Sequence, residues 1–194
     1  MTATLQARTL RLVLGINAAM FVAEFGAGWF AESAGLIADS LDMLADAFVY
    51  GLSLVAVFST AAGRVRTAAL SGVFQLTLGA AALLEVTRRF LVGSAPQPGY
   101  MIGVALVALV ANAICLRAVA RHRDEGIHMR ASYIFSQNDV LANLAVIVSG
   151  VLVAITAMPL WDLAAGAGIG LLVLSGGIRI LRASRAAHHT IGEG

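Results

Sequence analysis

Lysine is absent from this chain of 194 residues, cysteine occurs once, proline three times, and charged residues make up only 12%. Each scarcity excludes something. A lone Cys115 builds neither a disulfide framework nor a thiolate cage for a metal, and reads as a small apolar residue in a helix. With hydrophobic residues at 59%, too little polar surface remains to disperse a domain of this size in water, so the composition points to a membrane. The net charge of +2 is not accompanied by an aromatic and basic face, which argues against nucleic acid as a partner.

What the chain has instead is a series of apolar stretches, over 10–30, 35–60, 67–91, 99–119, 131–157 and 160–182. Each approaches or exceeds the ~20 residues that a helix needs to cross a bilayer. They are too long for strands and lack a two-residue alternation. The expectation is an all-α integral membrane protein, one domain over 1–194 with six transmembrane helices. Arg8 and Arg11 ahead of an apolar run, with Ala31-Glu-Ser-Ala34 after it, imitate a cleavable signal peptide. Glu24 interrupts that run and five more stretches follow, so the segment reads as a retained first span.

Arginine placement predicts the orientation. With the N-terminus in the cytoplasm, that side receives Arg8, Arg11, Arg64, Arg66, Arg117, Arg121, Arg123, Arg130, Arg179, Arg182 and Arg185, and the outer side only Arg88 and Arg89. Eleven against two is a strong positive-inside bias, with both termini cytoplasmic and a bacterial inner membrane as the expected location. An internal echo accompanies it. Asp42-Met-Leu-Ala-Asp46 in the second span resembles Asp139-Val-Leu-Ala-Asn143 in the fifth, and Asn17-Ala18 resembles Asn112-Ala113. A 3+3 inverted repeat of this kind would place a binding site near the midplane.

The acids Glu24, Asp39, Asp42, Asp46, Glu85 and Asp139 fall within the spans. An ionised carboxylate at the bilayer centre costs roughly 2.5–3.5 kcal/mol on insertion scales, so three in one helix need a compensating role. At about 100° per residue Asp39 and Asp46 nearly coincide on the helix face, and Asp42 lies roughly 60° away. Asp42 and Asp46, one turn apart, can converge on one ion. Stacked like charges repel, so the helix holds either protons or a cation there. The bland alternatives are interhelical hydrogen bonds or ion pairs with buried arginines, but no arginine lies near the middle of a span. Asp39, nearer the outer surface, is as well suited to orienting neighbours as to binding.

In the fifth span Asp139 and Asn143 are again one turn apart, each with an oxygen to offer, and Asn138 can face the site or bond a neighbouring helix. Glu24 and Asn17, two turns apart in the first span, suit a surrounding shell, a proton path or simple packing. Gln75, at mid-span, is a candidate to line the cavity. Glu85 stands four residues before Arg89 and reads as a local pair. His122, His128, His188 and His189 lie outside the spans, where histidines are usually solvated, though they could capture a cation. Gly166-Ala-Gly168-Ile-Gly170 imitates a nucleotide loop, but with no strand before it the glycines read as helix packing.

Ser33-Ala-Gly-Leu-Ile-Ala-Asp39-Ser-Leu-Asp42-Met-Leu-Ala-Asp46-Ala47, with Glu24 and Gly28 before it, resembles the first two helices of the cation diffusion facilitator (cation efflux) family. Arg130-Ala-Ser-Tyr-Ile-Phe135-Ser-Gln-Asn-Asp139 looks like that family's fifth helix. The resemblance implies a homodimeric exporter of divalent transition metals driven by protons moving the other way. By position, its transport site maps onto Asp42, Asp46, Phe135 and Asp139. Phe135 departs from the pattern, since the family commonly has histidine or an acid there. Either three carboxylates act with water, or Asn143 supplies the fourth ligand. Both leave an oxygen-only site, which leans toward Mn²⁺ or Fe²⁺ over Co²⁺, Zn²⁺ or Cd²⁺, although Zn²⁺ also accepts carboxylates. Only nine residues follow Arg185, so the family's cytoplasmic metal-binding domain is not expected, and a dimer would rest on the helices.

These readings converge on a proton-coupled cation exporter working by alternating access, with no resident cofactor. The rivals are a non-transporting membrane subunit for metal binding or assembly, and a carrier of another cation. An intramembrane hydrolase is disfavoured because no span contains a histidine.

Overall fold

The computed structural model describes residues 2–56, 61–121 and 127–192, with side chains described over 7–54, 65–121 and 132–186. The described residues form six helices and no strand: α1 (Thr2–Phe30), α2 (Ala34–Ala56), α3 (Ala61–Val92), α4 (Pro98–Ala120), α5 (Ile127–Thr156) and α6 (Leu160–Gly192). Each expected span falls on its own helix over the described residues, the second as far as Ala56 and the fifth as far as Thr156. Several helices continue past the apolar stretch, as α1 and α6 do at the end of the bundle that carries both termini. The side chains of His122, His128, His188 and His189, and of Arg64, Arg123 and Arg130, lie outside the described set.

Five helices, α1 and α3 to α6, contain stretches long and apolar enough to cross a membrane. The other, α2, has the length at 23 residues, about 35 Å at 1.5 Å per residue, but carries Asp39, Asp42 and Asp46. Burial explains how such a helix is tolerated. Asn17, Glu24, Asp39, Asp42, Asp46, Gln75, Asn112, Asp139 and Asn143 are all buried, while Val22, Phe30, Leu70, Leu84, Val107, Leu141 and Ile155 face outward. Polar inside and apolar outside is the distribution that lipid imposes.

Helix packing divides the bundle. The α3–α6 pair is the most extensively packed, followed by α1 with α2 and α4 with α5. These three pairings exchange among themselves if α1–α3 are swapped with α4–α6, but α2 also packs on α6 with no comparable contact between α5 and α3. Glycines set the α3–α6 approach. A Cβ on Gly72 would lie 2.7 Å from Leu181, on Gly79 2.9 Å from Leu174, on Gly170 2.9 Å from Leu83, and on Gly177 2.9 Å from Leu76. Leucines of each helix therefore seat on glycines of the other, the close contact that small residues allow in lipid. Within Gly166-Ala-Gly168-Ile-Gly170 the outer two glycines are contact points, Gly166 against the backbone of Ala34, while Gly168 meets nothing.

The opposite end carries the short turns. Helix α1 closes with Glu32 at φ 51° and with the Ser33 N–H donating to the Gly28 carbonyl at 3.0 Å. This is a Schellman closure with a non-glycine in the left-handed position. The α1–α2 and α3–α4 turns are stapled together: the Gln97 backbone N–H donates to the Ala31 carbonyl at 2.9 Å, and the Ala95 N–H to the Glu32 carboxylate at 3.1 Å. Arg88 and Arg89 both bond Glu85, so the expected local pair is a three-membered cluster. Cys115 is a free thiol packed with Leu10, Val13, Tyr50 and Val119.

Candidate functional site

The carboxylate row starts from a pinned helix end. Ser33 caps α2, its Oγ accepting from the Leu36 N–H at 3.1 Å. The next amides are capped from outside the helix: Ala34 N–H donates to Asp162 Oδ2 at 2.6 Å, and Gly35 N–H to Asp162 Oδ1 at 3.0 Å. Ser33 Oγ also donates to Asp162 Oδ1, at 2.6 Å. Asp162, near the start of α6, is fully buried. A carboxylate at a helix N-terminus satisfies orphan N–H groups and complements the dipole. Gly35 is required for the approach, because a Cβ there would lie 2.9 Å from Asp162 Oδ1. Asp162 lies within the sixth expected span but near its edge, and it escaped notice there because nothing in the sequence pairs it with Ser33-Ala-Gly35.

From this anchored end the α2 carboxylates separate into two groups. Asp42 and Asp46 border a narrow pocket with Gln75 of α3, Phe135, Asn138 and Asp139 of α5, and Leu172, Gly176 and Arg179 of α6. Its walls leave no water-sized space between them. Asp42, Asp46 and Asp139 are each exposed by 3% or less. One oxygen of each, the Oδ2, has no hydrogen-bond partner. Arg179 is exposed at the pocket border, and the described residues include no ion pair between it and these acids. The carboxylates share the pocket without being drawn to ligand distance: among the described residues no three His, Cys, Asp or Glu side chains are grouped tightly enough to hold one ion.

Asp39 belongs to the second group. Its Oδ2 accepts a short hydrogen bond from the Asn143 amide, and Asn143 Oδ1 accepts from Asn112 Nδ2 at 3.0 Å. The Glu24 carboxyl meets Asp39 from α1. A buried hydrogen-bonded string thus ties α2, α5 and α4, with the unpartnered Glu24 carboxyl beside it on α1. Asn143, one of the two alternatives for the fourth position of the cation site, does not line the pocket and has its oxygen engaged by Asn112. The physical reason is helix direction. A residue one turn beyond Asp139 on α5 meets an earlier residue of the antiparallel α2, and that residue is Asp39. Asn17 turns its Nδ2 back to the Val13 carbonyl at 2.9 Å, within its own helix. Asn138 and Gln75 do line the pocket.

Phe135 occupies the wall where the resemblance leads one to look for a ligand. It also packs onto the apolar cluster of Leu10, Val13, Tyr50, Cys115 and Val119. Tyr50, one turn beyond Asp46, is buried there with its hydroxyl donating to the Ser132 carbonyl at 3.4 Å. The pocket is therefore backed by hydrocarbon toward the terminal end of α5, and its unpaired groups are all oxygens.

An arrangement of several desolvated carboxylates with unsatisfied oxygens and no fixed counter-charge among them suits a mobile cation or exchangeable protons. Comparison with known proteins agrees with the layout. Residues 10–187 match the cation efflux transmembrane domain. The metal cation efflux system protein CzcD of Cupriavidus metallidurans is 26% identical over 179 residues, covering 86% of this chain and 57% of that protein. The cation efflux system protein CzcD of an Alcaligenes species has the same identity and coverage. The chain thus spans little more than half the length of these relatives. With the match running through all six helices, the chain belongs to the cation efflux transmembrane domain family, as a multi-pass membrane protein.

Proposed function

We propose that the chain exports a divalent transition-metal cation in exchange for protons, by alternating access around Asp42, Asp46 and Asp139. The observation that carries this reading is the pocket between α2, α3, α5 and α6, where three buried carboxylates keep oxygens with no partner. A dication neutralises two of them, and protons replace it when the site turns to the opposite side. The positive-inside arginine count supports a bacterial inner membrane with both termini in the cytoplasm. The oxygen donors favour Mn²⁺ or Fe²⁺. The names of the CzcD relatives support metal cation efflux as the activity. A homodimer would form through the lipid-facing helices.

The test is a flux assay in proteoliposomes with Mn²⁺, Fe²⁺, Co²⁺, Zn²⁺ and Cd²⁺, with and without a pH gradient. Expected is flux of at least one of these ions, accelerated by an opposing proton gradient and absent with Asp46→Asn. Saturable binding without flux in any condition would favour a metal-binding subunit. Undiminished flux by Asp46→Asn would overturn the site.

A further inference from the structure

Gln75 is the one polar side chain in the pocket that comes from α3. It is 2% exposed, and its Oε1 has no hydrogen-bond partner. Leaving an amide oxygen desolvated and unpaired is unfavourable, so its placement calls for a reason. Gly176 makes the room: a Cβ on that residue would lie 2.8 Å from Gln75 Nε2 and 3.2 Å from its Cδ. Any side chain on α6 at this point would push the carboxamide away from where it sits. The pocket meanwhile lacks a donor at Phe135, and Asn143 is engaged elsewhere.

We propose that Gln75 supplies the fourth ligand, its amide oxygen completing an oxygen-only cation site with Asp42, Asp46 and Asp139. The inference rests on the transport-site reading above and deepens it. A neutral amide oxygen is a hard donor that adds no charge, so a dication with three carboxylates and Gln75 retains the same net charge as with three carboxylates alone. The ligand set also spans three helices. Asp42, Asp46 and Asp139 sit on α2 and α5, whereas Gln75 rides on the tightly zipped α3–α6 pair. Binding the cation would then tie the α3–α6 pair to α5 through the pocket as well as to α2, on which it already packs.

The experiment measures Mn²⁺ and Zn²⁺ affinity of the purified full chain in lipid nanodiscs, with thermal unfolding of the metal-free protein alongside. Gln75→Leu keeps the volume and removes the donor. Mn²⁺ affinity should fall at least about tenfold, the low end of what losing even an outer-shell partner costs a metal site. Its metal-free stability should be unchanged or raised, since an unpaired buried oxygen is gone. Gln75→Glu should hold Mn²⁺ within a few-fold of wild type or tighter. Gln75→His should move the preference from Mn²⁺ toward Zn²⁺, because imidazole is the softer ligand. Gly176→Ala, which displaces the amide, should weaken Mn²⁺ binding in the same direction as Gln75→Leu. Wild-type affinity in Gln75→Leu, with binding lost in Asp46→Asn, would overturn the role of Gln75 and leave the carboxylate site standing. An unchanged Mn²⁺/Zn²⁺ preference in a folded Gln75→His would also overturn it. Wild-type binding in Asp46→Asn would overturn the site itself.

Discussion

Asn143 on α5 donates its side-chain amide to Asp39 on α2, while its carbonyl oxygen accepts from Asn112 on α4. One side chain thus links three helices at the level where the outer carboxylate of α2 is buried. It also separates two tasks on α2. Asp39 has its Oδ2 held by a fixed donor with Oδ1 unpartnered, whereas Asp42 and Asp46 present their unpartnered oxygens where they line the pocket. The distinction leads to different expectations for mutations along a single helix.

Asn143→Leu removes the donor to a buried carboxylate. Hydrogen bonds to charged groups contribute about 1.5–3 kcal/mol, and leaving the partner unsatisfied costs the full amount. The expected result is a drop of that order in stability, with Mn²⁺ binding at the pocket retained. Thermal unfolding in detergent checks the first part and titration the second. Asn143→Asp should be worse, since it sets a second carboxylate against Asp39.

Neutralising the pocket acids should act in the opposite direction on the metal-free protein. Asp42→Asn, Asp46→Asn or Asp139→Asn each relieves repulsion among buried like charges and should leave stability unchanged or higher. The wild type should gain stability from a transported cation, by about 2.7 kcal/mol at a hundredfold excess over Kd, and these variants should gain little. A thermal-shift series with and without metal reads both effects.

At the turn end, Asp162→Ala strips α2 of the acceptor for two backbone amides and the Ser33 hydroxyl. Loss of a helix cap costs about 0.5–2 kcal/mol, and burial places this case at the upper end. Asp162→Asn keeps one acceptor oxygen and should lose less. Gly35→Ala should destabilise in the same sense, because its methyl group would meet Asp162. Hydrogen exchange at the first turn of α2 reports the change locally.

The α3–α6 zipper gives a third class. Gly177→Ala puts a Cβ 2.9 Å from Leu76 and 3.0 Å from the Gly72 carbonyl, and backbone cannot yield as a side-chain tip does. Overpacking of this kind costs typically about 1–3 kcal/mol. Gly168→Ala, which meets nothing, should be neutral or stabilising by up to about 1 kcal/mol. Parallel unfolding curves of the two variants separate contact from mere helix propensity.

Arg179 borders the pocket as an exposed positive charge. Arg179→Gln should speed cation entry at low ionic strength, and the gain should fade toward 0.15 M salt, where the Debye length shrinks to about 8 Å. Stopped-flow uptake at two salt concentrations tests it.

Much of this architecture is legible in the residues. Apolar runs long enough to cross a bilayer can only be helices, because lipid offers no partner for a free backbone amide. Carboxylates spaced one turn apart, as Asp42 and Asp46 are, announce a shared face from helix geometry alone. Other relationships are invisible in that code. Asn143 looks equivalent to Asp46 in the internal echo, yet antiparallel packing carries it past the pocket to Asp39. Asp162 and Ser33 are far apart in the chain and share no motif. Gln75 stands out as a mid-span amide suited to line a cavity, but the space that Gly176 on α6 makes for it is not readable from the chain.

Hydropathy and helical period are local properties, so the membrane, the six helices and the acids that need burial are all readable along the chain. Which acids line the pocket and which takes a fixed donor is set by packing between helices. That choice depends on the stagger and direction of neighbouring helices, and so on glycine contacts and end caps formed between residues far apart in the chain.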